Sequence, residues 1–381
     1  MKKILYITTI PSPYRVAYFN ELGKKCDLTV LFEKAGSDER DAVWRQYKFD
    51  NFKGIILPGI KLSVNTAFCP TILKYLKTTW DEIVCCDVST LTGMLAIQYM
   101  KLKKVKYWIE GDGAFAKNGK GFKEQVKKHF ISGAYGYFST SKSHDDYYVT
   151  YGADKNKIRH YMFSSVLDRK IINLGNGGVE QQIKKREDLR CQARRELGMD
   201  ENAVIVLTIG QFIHRKGFDV LLNAAKMLDE KTKIYFVGGV PTGEYKNICK
   251  EKQLRNIHFE GFKNSDILAK YYMAADIFVL PTREDVWGLV INEAMAYALP
   301  VITTTKCIAG LEMVKDDYNG YLVEPDNILE LADRINKMVS SKELRNKCTI
   351  NARNVGKQYT IETMTTTHEV LYTEEQDKCQ N

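Results

Sequence analysis

The sequence predicts an α/β protein made of two domains in tandem, each built on a parallel β-sheet. Short runs of β-branched and aromatic residues alternate with longer helical patterns along nearly the whole chain. This alternation is typical of parallel sheets covered by helices on both faces. The chain has 381 residues, 44% of them hydrophobic, and a single core stops growing at roughly 250 to 300 residues. We therefore expect two cores.

The first domain is predicted at residues 1–165 and the second at 180–355. Strands of the first domain are expected at 4–9, 28–32, 54–57, 83–86, 105–109, 135–139 and 158–163. The stretch 174–187 is polar and rich in glycine and charge, which indicates a linker. Strands of the second domain are expected at 203–208, 233–237, 257–259, 277–280, 301–303 and 320–323.

The last segment predicts a helix with one buried stripe, because four of its side chains recur at helical spacing. They are Ile361, Met364, His368 and Leu371.

Composition narrows the function classes. No apolar stretch reaches the roughly 18 to 20 residues of a membrane-spanning helix, and no signal-peptide core follows Met1, so we expect a cytoplasmic protein. Nine cysteines and six histidines lack metal-ligand spacing, so no metal and no cofactor is expected. The net charge of +9 favours anionic partners. Nucleic acid is excluded because the basic residues are dispersed and no nucleic-acid-binding motif is present.

A candidate phosphate loop runs from Gly210 to Gly217, directly after a predicted strand and before a helix. Ligands of open α/β sheets bind at the carboxyl ends of strands, and the adjacent cations Arg215 and Lys216 could hold a diphosphate. A solvated basic loop is the alternative.

A second loop follows the strand at 277–280. Asp285 and Glu293 are separated by seven residues, and Gly288 lies between them where a backbone could approach a phosphate closely. Two carboxylates and a run of free amides suit a nucleotide sugar, which offers hydroxyl donors and phosphate acceptors. A loop ion pair and a helix-surface charge are the alternative.

Together these segments resemble the retaining glycosyltransferases of the GT-B fold, in particular family 4, whose signature is Glu, seven residues, Glu. The resemblance covers nearly the whole chain and includes the segments 271–276, 293–296 and 317–323. It implies two Rossmann-like domains facing each other across a cleft. The first would bind the acceptor and the second the nucleotide sugar, with a terminal helix at 356–381 packing back onto the first. It also implies retention of anomeric configuration without a metal.

The resemblance assigns roles to the loop residues. Lys216 with Arg215 would neutralise the leaving diphosphate, Asp285 would hold donor-sugar hydroxyls, and Glu293 would accept from the ribose. The other donor-binding candidates are Gly210, Gln211, Phe262, Lys263, Glu284, Trp287, Gly288, Leu289 and Val290.

Three positions depart from the family pattern. Gln211 stands where Arg is usual, Asp285 stands where Glu is usual unless Glu284 reaches in, and Ala298 stands where Gly is common. The shorter Asp285 moves its carboxylate by about one methylene, and errors near 1 Å can lower a rate about a hundredfold.

Two loops of the first domain are expected to contact the acceptor or the donor. One contains Ser12, Pro13 and Arg15 after the first strand, and the other contains Glu110 and Asp112 after the fifth. Many relatives carry a catalytic His in the later loop, so Glu110 is a candidate for that role. The alternative is a glycine-rich turn with solvated carboxylates.

Residues 117–131 predict a basic amphipathic helix, with Phe122, Val126 and Phe130 on one stripe. The lysines around it are Lys120, Lys123, Lys127 and Lys128. Such a helix can lie on an anionic membrane, while a core-facing stripe with solvated lysines fits the pattern equally. The resemblance favours the membrane, because many members build lipid-linked saccharides and dock through this region.

The predicted activity is therefore transfer of a sugar from a UDP- or GDP-sugar to a hydroxyl of a lipid-linked saccharide in bacterial surface polysaccharide synthesis. The enzyme would be peripheral at the inner face of the cell membrane. A non-catalytic nucleotide-sugar-binding protein or a sugar-nucleotide epimerase of the same fold is the alternative.

Overall fold

The computed structural model describes residues 1–36, 47–117, 119, 121–229 and 231–373, in two compact units. Unit 1 comprises Met1–Ser165 and the described part of Thr360–Asn381, and unit 2 comprises Val166–Tyr359. Residues 166–179, which the sequence left between the domains, therefore lie with unit 2. Both units are α/β with parallel sheets, as predicted.

Unit 1 contains a seven-stranded parallel sheet and a small separate hairpin. Its strands are β1 Lys3–Thr8, β2 Asp27–Phe32, β3 Lys53–Ile56, β4 Ile60–Lys61, β5 Ala67–Phe68, β6 Glu82–Cys85, β7 Trp108–Glu110, β8 Gly136–Ser139 and β9 Ile158–His160. The sheet order is β3-β2-β1-β6-β7-β8-β9, and β4 pairs antiparallel with β5. The seven predicted strands are confirmed, whereas the two-residue strands β4 and β5 are too short to give a sequence pattern.

Five helices accompany this sheet in the amino-terminal part of unit 1. They are α1 Pro13–Leu22, α2 Ile72–Leu76, α3 Leu91–Lys103, α4 Phe122–Ile131 and α5 Lys142–Thr150. Side chains of β1 from Ile4 to Ile7 are at most 1% exposed on either face, which explains why this strand reads as a continuous apolar run.

Unit 2 contains a six-stranded parallel sheet. Its strands are β10 Val204–Ile209, β11 Thr232–Val237, β12 Ile257–Phe259, β13 Ile277–Leu280, β14 Val301–Thr304 and β15 Gly320–Val323, in the order β12-β11-β10-β13-β14-β15. Its helices are α6 Val179–Leu197, α7 Phe218–Ala224, α8 Gly243–Glu251, α9 Ser265–Ala274, α10 Leu289–Ala296, α11 Ile308–Met313, α12 Ile328–Ser340 and α13 Lys342–Gly356.

Strand order reverses at one place in each sheet. In unit 1 the first strand, β1, lies between β2 and β6, and in unit 2 the first strand, β10, lies between β11 and β13. The connections on the two sides of such a point cover opposite faces of the sheet, which leaves a crevice at the carboxyl ends of the strands. Each unit therefore has one preferred place for a ligand.

The predicted linker is wrong over much of its length, because residues 179–187 begin the 19-residue helix α6. Arg186, which looked like a linker cation, is buried and donates to the carbonyls of Tyr272, Met273, Ala275 and Tyr297 at 2.8 to 3.3 Å. Carbonyls at the end of a helix lack intrahelical partners, and Arg186 satisfies those at the end of α9. The Arg186 guanidinium therefore links α6 to the end of α9 inside unit 2.

The final segment forms α14 Ile361–Thr367 and a short 3-10 turn, Glu369–Leu371. All four side chains of the predicted stripe, Ile361, Met364, His368 and Leu371, are 0% exposed. The buried stripe is confirmed, and α14 packs against α1 within unit 1.

Asp276 is the anionic partner in the interior of unit 2. It accepts from Arg190, from Arg194 at 2.5 Å and from the backbone N–H of Ile205 at 2.7 Å. Burial raises the pKa of Asp276, but Arg194 and Arg190 outweigh it and hold this pKa below its usual value. Arg194 is 0% exposed, and Asp276 is its buried counter-ion.

We expect Asp276→Asn to destabilise the protein by about 3 to 5 kcal/mol, because it leaves a buried guanidinium without its anion. The midpoint of urea unfolding should fall accordingly. Asp333→Asn is the matched control, since the Asp333 side chain is 71% exposed and its replacement should cost less than about 1 kcal/mol. Equal midpoints for the two variants would contradict the prediction.

Candidate functional site

The loop after β10 approaches the loop after β13 closely, and Gly217 makes this possible. Gly217 has a positive φ of 65° and ends the short 3-10 turn His214–Lys216. A Cβ atom at this position would lie 2.0 Å from the carbonyl oxygen of Pro281. No other residue fits there, so the turn carrying Arg215 and Lys216 is held against the end of β13.

Lys216 and Arg215 both reach the carboxylate of Asp285. Lys216 Nζ lies 2.5 Å from Asp285 Oδ2, and Arg215 Nη1 lies 3.3 Å from Oδ1. Glu284 offers its backbone carbonyl to Arg215 at 2.9 Å, so Asp285 is the carboxylate that meets the cations. Two cations therefore share one carboxylate at the carboxyl ends of β10 and β13.

Asp285 is fixed by its backbone. Its N–H donates to Lys306 O at 2.8 Å, and its carbonyl accepts from Ile308 N at 3.2 Å. Gly288 follows with a positive φ of 100°, and a Cβ atom there would lie 2.7 Å from Cys307 Sγ. The indole of Trp287 is 2% exposed and donates to Asn292 Oδ1 at 2.7 Å, so its side chain is structural.

Helix α10 starts directly after Gly288 and carries Glu293. The Tyr272 hydroxyl donates to Glu293 Oε2 at 2.7 Å, which orients this partly exposed carboxylate. The N–H groups of Leu289 and Val290 lie in the first turn, where a helix has no internal acceptors for its donors. N–H groups of this type can donate hydrogen bonds to an anion at the amino end of a helix such as α10.

The remaining donor candidates differ in exposure. Gln211 is exposed, and Gly210 before it is partly buried. Phe262 is 56% exposed, whereas Lys263 lies 3.4 Å from Glu260 and 5.7 Å from the centre of the Tyr271 ring. Phe262 therefore offers a free aromatic face, and Lys263 is held at the side.

Unit 1 has a cavity of about 370 Å³ at its own strand reversal, lined by the loops after β1, β6 and β7 and by α5. Ser12 is the buried residue before α1, and Pro13 is the first residue of that helix, where the fixed φ of proline favours helix initiation. Proline thus directs α1 so that Arg15, two residues later, lines the cavity.

Arg15 bridges the two carboxylates of the β7 loop. One guanidinium nitrogen pairs with Glu110 and another with Asp112, and the Tyr14 hydroxyl donates to Asp112 at 3.0 Å. Arg15 and Glu110 are buried, while the Asp112 side chain is 32% exposed. The predicted grouping of these three residues is therefore present in the structure, but Glu110 is not a solvated carboxylate.

Glu110 is ionised and held from several sides. Tyr6 donates to its Oε2 at 3.0 Å, and His368 Nε2 lies 3.2 Å from the same oxygen. Burial raises the pKa of Glu110, but Arg15 and His368 outweigh it and hold this pKa at about 2. A carboxylate this acidic is a poor proton acceptor at neutral pH. Its geometry is that of a group that positions Arg15.

Asp87 is a cavity residue that the sequence reasoning missed. It lies two residues after the end of β6, and its Oδ2 accepts from Thr9 N at 3.0 Å and from Thr8 Oγ1 at 3.4 Å. Burial raises the pKa of Asp87 to about 6, and the charge of Asp112 adds to this. The signal was available, because β6 neighbours β1 and a residue at its carboxyl end lies at the strand reversal.

The predicted basic helix is shorter and less exposed than expected. α4 begins at Phe122 instead of 117, and Lys120 lies outside the described residues. Phe130 packs against the core of unit 1, so placing it on a membrane surface was wrong. The two ends of α4 differ in exposure. Phe130 near its end packs against the core, whereas Phe122 in its first turn is 79% exposed.

The lysines of α4 also fall into two groups. Lys127 Nζ lies 3.4 Å from Glu124 Oε1 and 5.1 Å from the centre of the Tyr151 ring, so this lysine is engaged with neighbours in unit 1. Lys123 and Lys128 are exposed. A basic surface is left, but with fewer charges than the sequence indicated.

Over the described ranges, no helix is both long and apolar enough to cross a bilayer. Within the same ranges, no group of three or more His, Cys, Asp or Glu side chains has an arrangement suited to holding a metal ion.

Sequence comparison finds a family match over most of unit 2. Residues 190–355 match the family described as glycosyl transferases group 1. An uncharacterized glycosyltransferase of Methanocaldococcus jannaschii is 29% identical over 189 residues, which cover 48% of this chain and 48% of that protein. The chain spans about half the length of the curated relatives that it matches.

Structural comparison covers nearly the whole chain. The HepE protein of Anabaena, solved in complex with UDP, matches with a TM-score of 0.77 over 97% of this chain and 98% of that one, at 16% identity. WaaG, a glycosyltransferase involved in lipopolysaccharide biosynthesis, matches with a TM-score of 0.68 over 97% and 99%, at 16% identity. At these identities the likeness shows the fold, which is GT-B as the sequence resemblance implied.

The raised pKa of Asp87 gives a prediction for stability. A carboxyl whose folded pKa is raised destabilises the fold above that pKa, because the unfolded chain ionises it more readily. We expect Asp87→Asn to stabilise the protein at pH 7.5 by about 1 to 2 kcal/mol, since one pKa unit is about 1.4 kcal/mol and the side chain is partly exposed. The gain should disappear as the pH falls below about 6 towards the usual Asp range.

Urea midpoints measured between pH 4 and 8 check this. Asp27→Asn, at the exposed start of β2, is the control and should show no comparable change. A gain for Asp87→Asn that does not vary with pH would contradict the assigned cause.

Proposed function

We propose that this protein, whose residues 190–355 belong to the glycosyl transferases group 1 family, is a glycosyltransferase that takes its sugar from a nucleotide diphosphate. The bond between the anomeric carbon and the diphosphate oxygen breaks, and the diphosphate leaves with the bonding electrons. The acceptor oxygen bonds to the same carbon and releases its proton. We further propose that the configuration at that carbon is retained and that no metal ion is needed.

The cationic pair Lys216 and Arg215 is the observation that carries this proposal. Both lie at the strand reversal of unit 2, and both converge on Asp285. Because the two cations share a single carboxylate, a diphosphate could pair with both of them beside Asp285. Negative charge grows on the leaving group during transfer, so fixed cations beside it lower the barrier without a proton transfer.

The neighbouring groups fit the rest of the donor. Asp285 would accept from donor-sugar hydroxyls, and Glu293, oriented by Tyr272, would accept from the ribose. The first-turn N–H groups of Leu289 and Val290 suit phosphate oxygens. The exposed Phe262 ring could stack on the base. UDP in the complex of the similarly folded HepE favours a uridine donor over a guanosine donor here.

The acceptor is proposed to be a lipid-linked saccharide at an anionic membrane, in bacterial surface polysaccharide synthesis. The support is α4, where Phe122 in the first turn is 79% exposed, Lys123 follows it directly, and Lys128 is exposed in the last turn. An aromatic ring next to cations is typical of interfacial helices. WaaG, which shares the fold, acts in lipopolysaccharide biosynthesis.

A donor screen tests the activity. Thermal shift and release of sugar are measured with UDP-, GDP-, dTDP- and ADP-sugars, with and without EDTA. The expected result is stabilisation by one nucleotide and sugar release that EDTA does not change. Binding without release would indicate a nucleotide-sugar-binding protein, and a changed sugar still attached to its nucleotide would indicate an epimerase. Release abolished by EDTA would overturn metal independence.

We expect Lys216→Met to lower the rate of sugar release or transfer by about a hundredfold to a thousandfold, as for loss of one preorganised charge-stabilising donor. The comparison is Lys226→Met, because Lys226 is an exposed lysine of the same unit and should keep its rate. Both variants should unfold at the same temperature within a few degrees. A rate for Lys216→Met close to that of Lys226→Met would mean that the diphosphate binds elsewhere.

We expect Lys123→Glu with Lys128→Glu to weaken partitioning onto vesicles of anionic phospholipid at least about tenfold, since each near-surface lysine contributes about 1 kcal/mol. Co-sedimentation in low salt measures this. The control pair is Lys74→Glu with Lys77→Glu, two exposed lysines of α2 and its end. Equal loss for both pairs would show nonspecific attraction, and no loss for either would remove the membrane role of α4.

A further inference from the structure

The cavity of unit 1 has a charge balance opposite to that of the whole chain. The chain carries +9, yet the described residues that line this cavity include three carboxylates and a single Lys or Arg. The carboxylates are Asp87, Glu110 and Asp112, and the cation is Arg15. The cavity is therefore an acidic place in a basic protein.

The one cation is already engaged. The two ends of the Arg15 guanidinium pair with Glu110 and Asp112, and the side chain is 5% exposed. His144 also lines the cavity, but burial lowers its pKa to about 3, so it is neutral near pH 7. Among the described lining residues, none offers an unbalanced positive charge to a ligand. Even with His368 behind Glu110 counted as a cation, three carboxylates face two positive charges.

Asp87 forms no direct ion pair with a Lys or Arg among the described residues, and the Arg15 charge only partly offsets the effects that raise its pKa. Asp87 accepts hydrogen bonds from a backbone N–H and a hydroxyl, and neither donor carries a charge. The 32% exposed side chain of Asp112 adds a second anionic edge. A ligand that enters therefore meets groups that accept hydrogen bonds and repel negative charge.

We infer that this cavity binds the acceptor end as an uncharged saccharide or an amino sugar and selects against sugars that carry phosphate or carboxylate groups. The inference rests on the proposed glycosyl transfer and specifies its acceptor. Sugar hydroxyls donate to carboxylates, and an ammonium group would gain further attraction. An added phosphate would bring like charge close to Asp87 and Asp112 without a free cation to meet it.

The same reasoning separates the two ligands of the reaction. Lys216 and Arg215 offer two cations in unit 2 to a diphosphate, whereas unit 1 keeps negative charge for hydroxyl or amino groups. A lipid-linked saccharide remains compatible, because its phosphates are joined to the far end of the saccharide from the accepting hydroxyl. The selection concerns the sugar that enters the cavity.

Matched pairs of probes test the selection. Saturation-transfer NMR is recorded with glucose and glucose 6-phosphate, with N-acetylglucosamine and its 6-phosphate, with galactose and galacturonic acid, and with glucosamine. Ser89→Trp, which places a large side chain at an exposed lining position, separates binding in the cavity from binding elsewhere. We expect uncharged and amino sugars to give saturation-transfer signals, and we expect Ser89→Trp to remove these signals. The anionic member of each pair should bind at least tenfold more weakly than its uncharged counterpart.

Charge is then separated from shape by Asp87→Asn, which keeps an acceptor for Thr9 N while removing the charge. We expect the ratio of uncharged to anionic binding to fall at least threefold in Asp87→Asn and to stay unchanged in Asp27→Asn. An unchanged ratio in Asp87→Asn would overturn the electrostatic cause. The assignment of the cavity would be overturned if the anionic sugars bound more tightly than the uncharged ones. It would also be overturned if Ser89→Trp removed the signal of no sugar.

The donor screen keeps this result distinct from the proposed function. Sugar release from a nucleotide sugar together with cavity binding of anionic probes would leave the transferase standing and remove the selection. A protein that binds no nucleotide sugar in unit 2 would instead remove the transferase itself, whatever the cavity binds.

Discussion

The parallel sheet constrains everything else in this protein. Parallel strands need crossover connections, and a chain that first winds one way from its central strand and then the other leaves a crevice beside that strand. Both units do this, at β1 in unit 1 and at β10 in unit 2. Arg15 and Asp87 lie at the first reversal, and Lys216 and Asp285 lie at the second. Groups far apart in sequence meet there because topology brings the strand ends together.

Much of the fold was predictable because its signal is local. Strands buried on both faces, such as β1 and β10, read as apolar runs. Together with the alternation of strands and helices, such runs located all seven main strands of unit 1 and the six of unit 2. The linker prediction was wrong because polar residues in the sequence were interpreted as exposed residues. Arg186 is polar in sequence but buried in structure, where the unpaired carbonyls at the end of α9 satisfy it. A single sequence shows a charge but not the partner that allows its burial.

The candidate site was predictable where its residues are adjacent in sequence. It was not predictable where contacts between distant parts of the chain determine which residues meet. Arg215 and Lys216 stand out as neighbours after a strand, and Asp285 follows another strand. Asp87 was missed because no charged residue and no glycine lies within four residues of it in sequence, although its position after a strand marks it. Phe130 was misassigned because helical periodicity identifies an apolar stripe but not what the stripe packs against. In the structure Phe130 packs against the core of unit 1.

The last helix shows how a distant segment completes a local site. Glu110 is buried and ionised, a state that burial alone opposes, and it depends on positive or donating groups around it. Arg15 comes from the first helix of the chain, whereas His368 comes from its last turns, with Nδ1 2.8 Å from Met364 O and Nε2 3.2 Å from Glu110. The rings of Tyr18, Phe138 and Tyr161 enclose the imidazole at 4.3 to 5.3 Å between ring centres. Because Glu110 in turn holds Arg15, the geometry of the acidic cavity depends on a segment that the chain reaches only after it has built unit 2. Unit 1 is discontinuous in sequence. Residues 1–165 supply Arg15 and Tyr6 to Glu110, and the final segment adds His368.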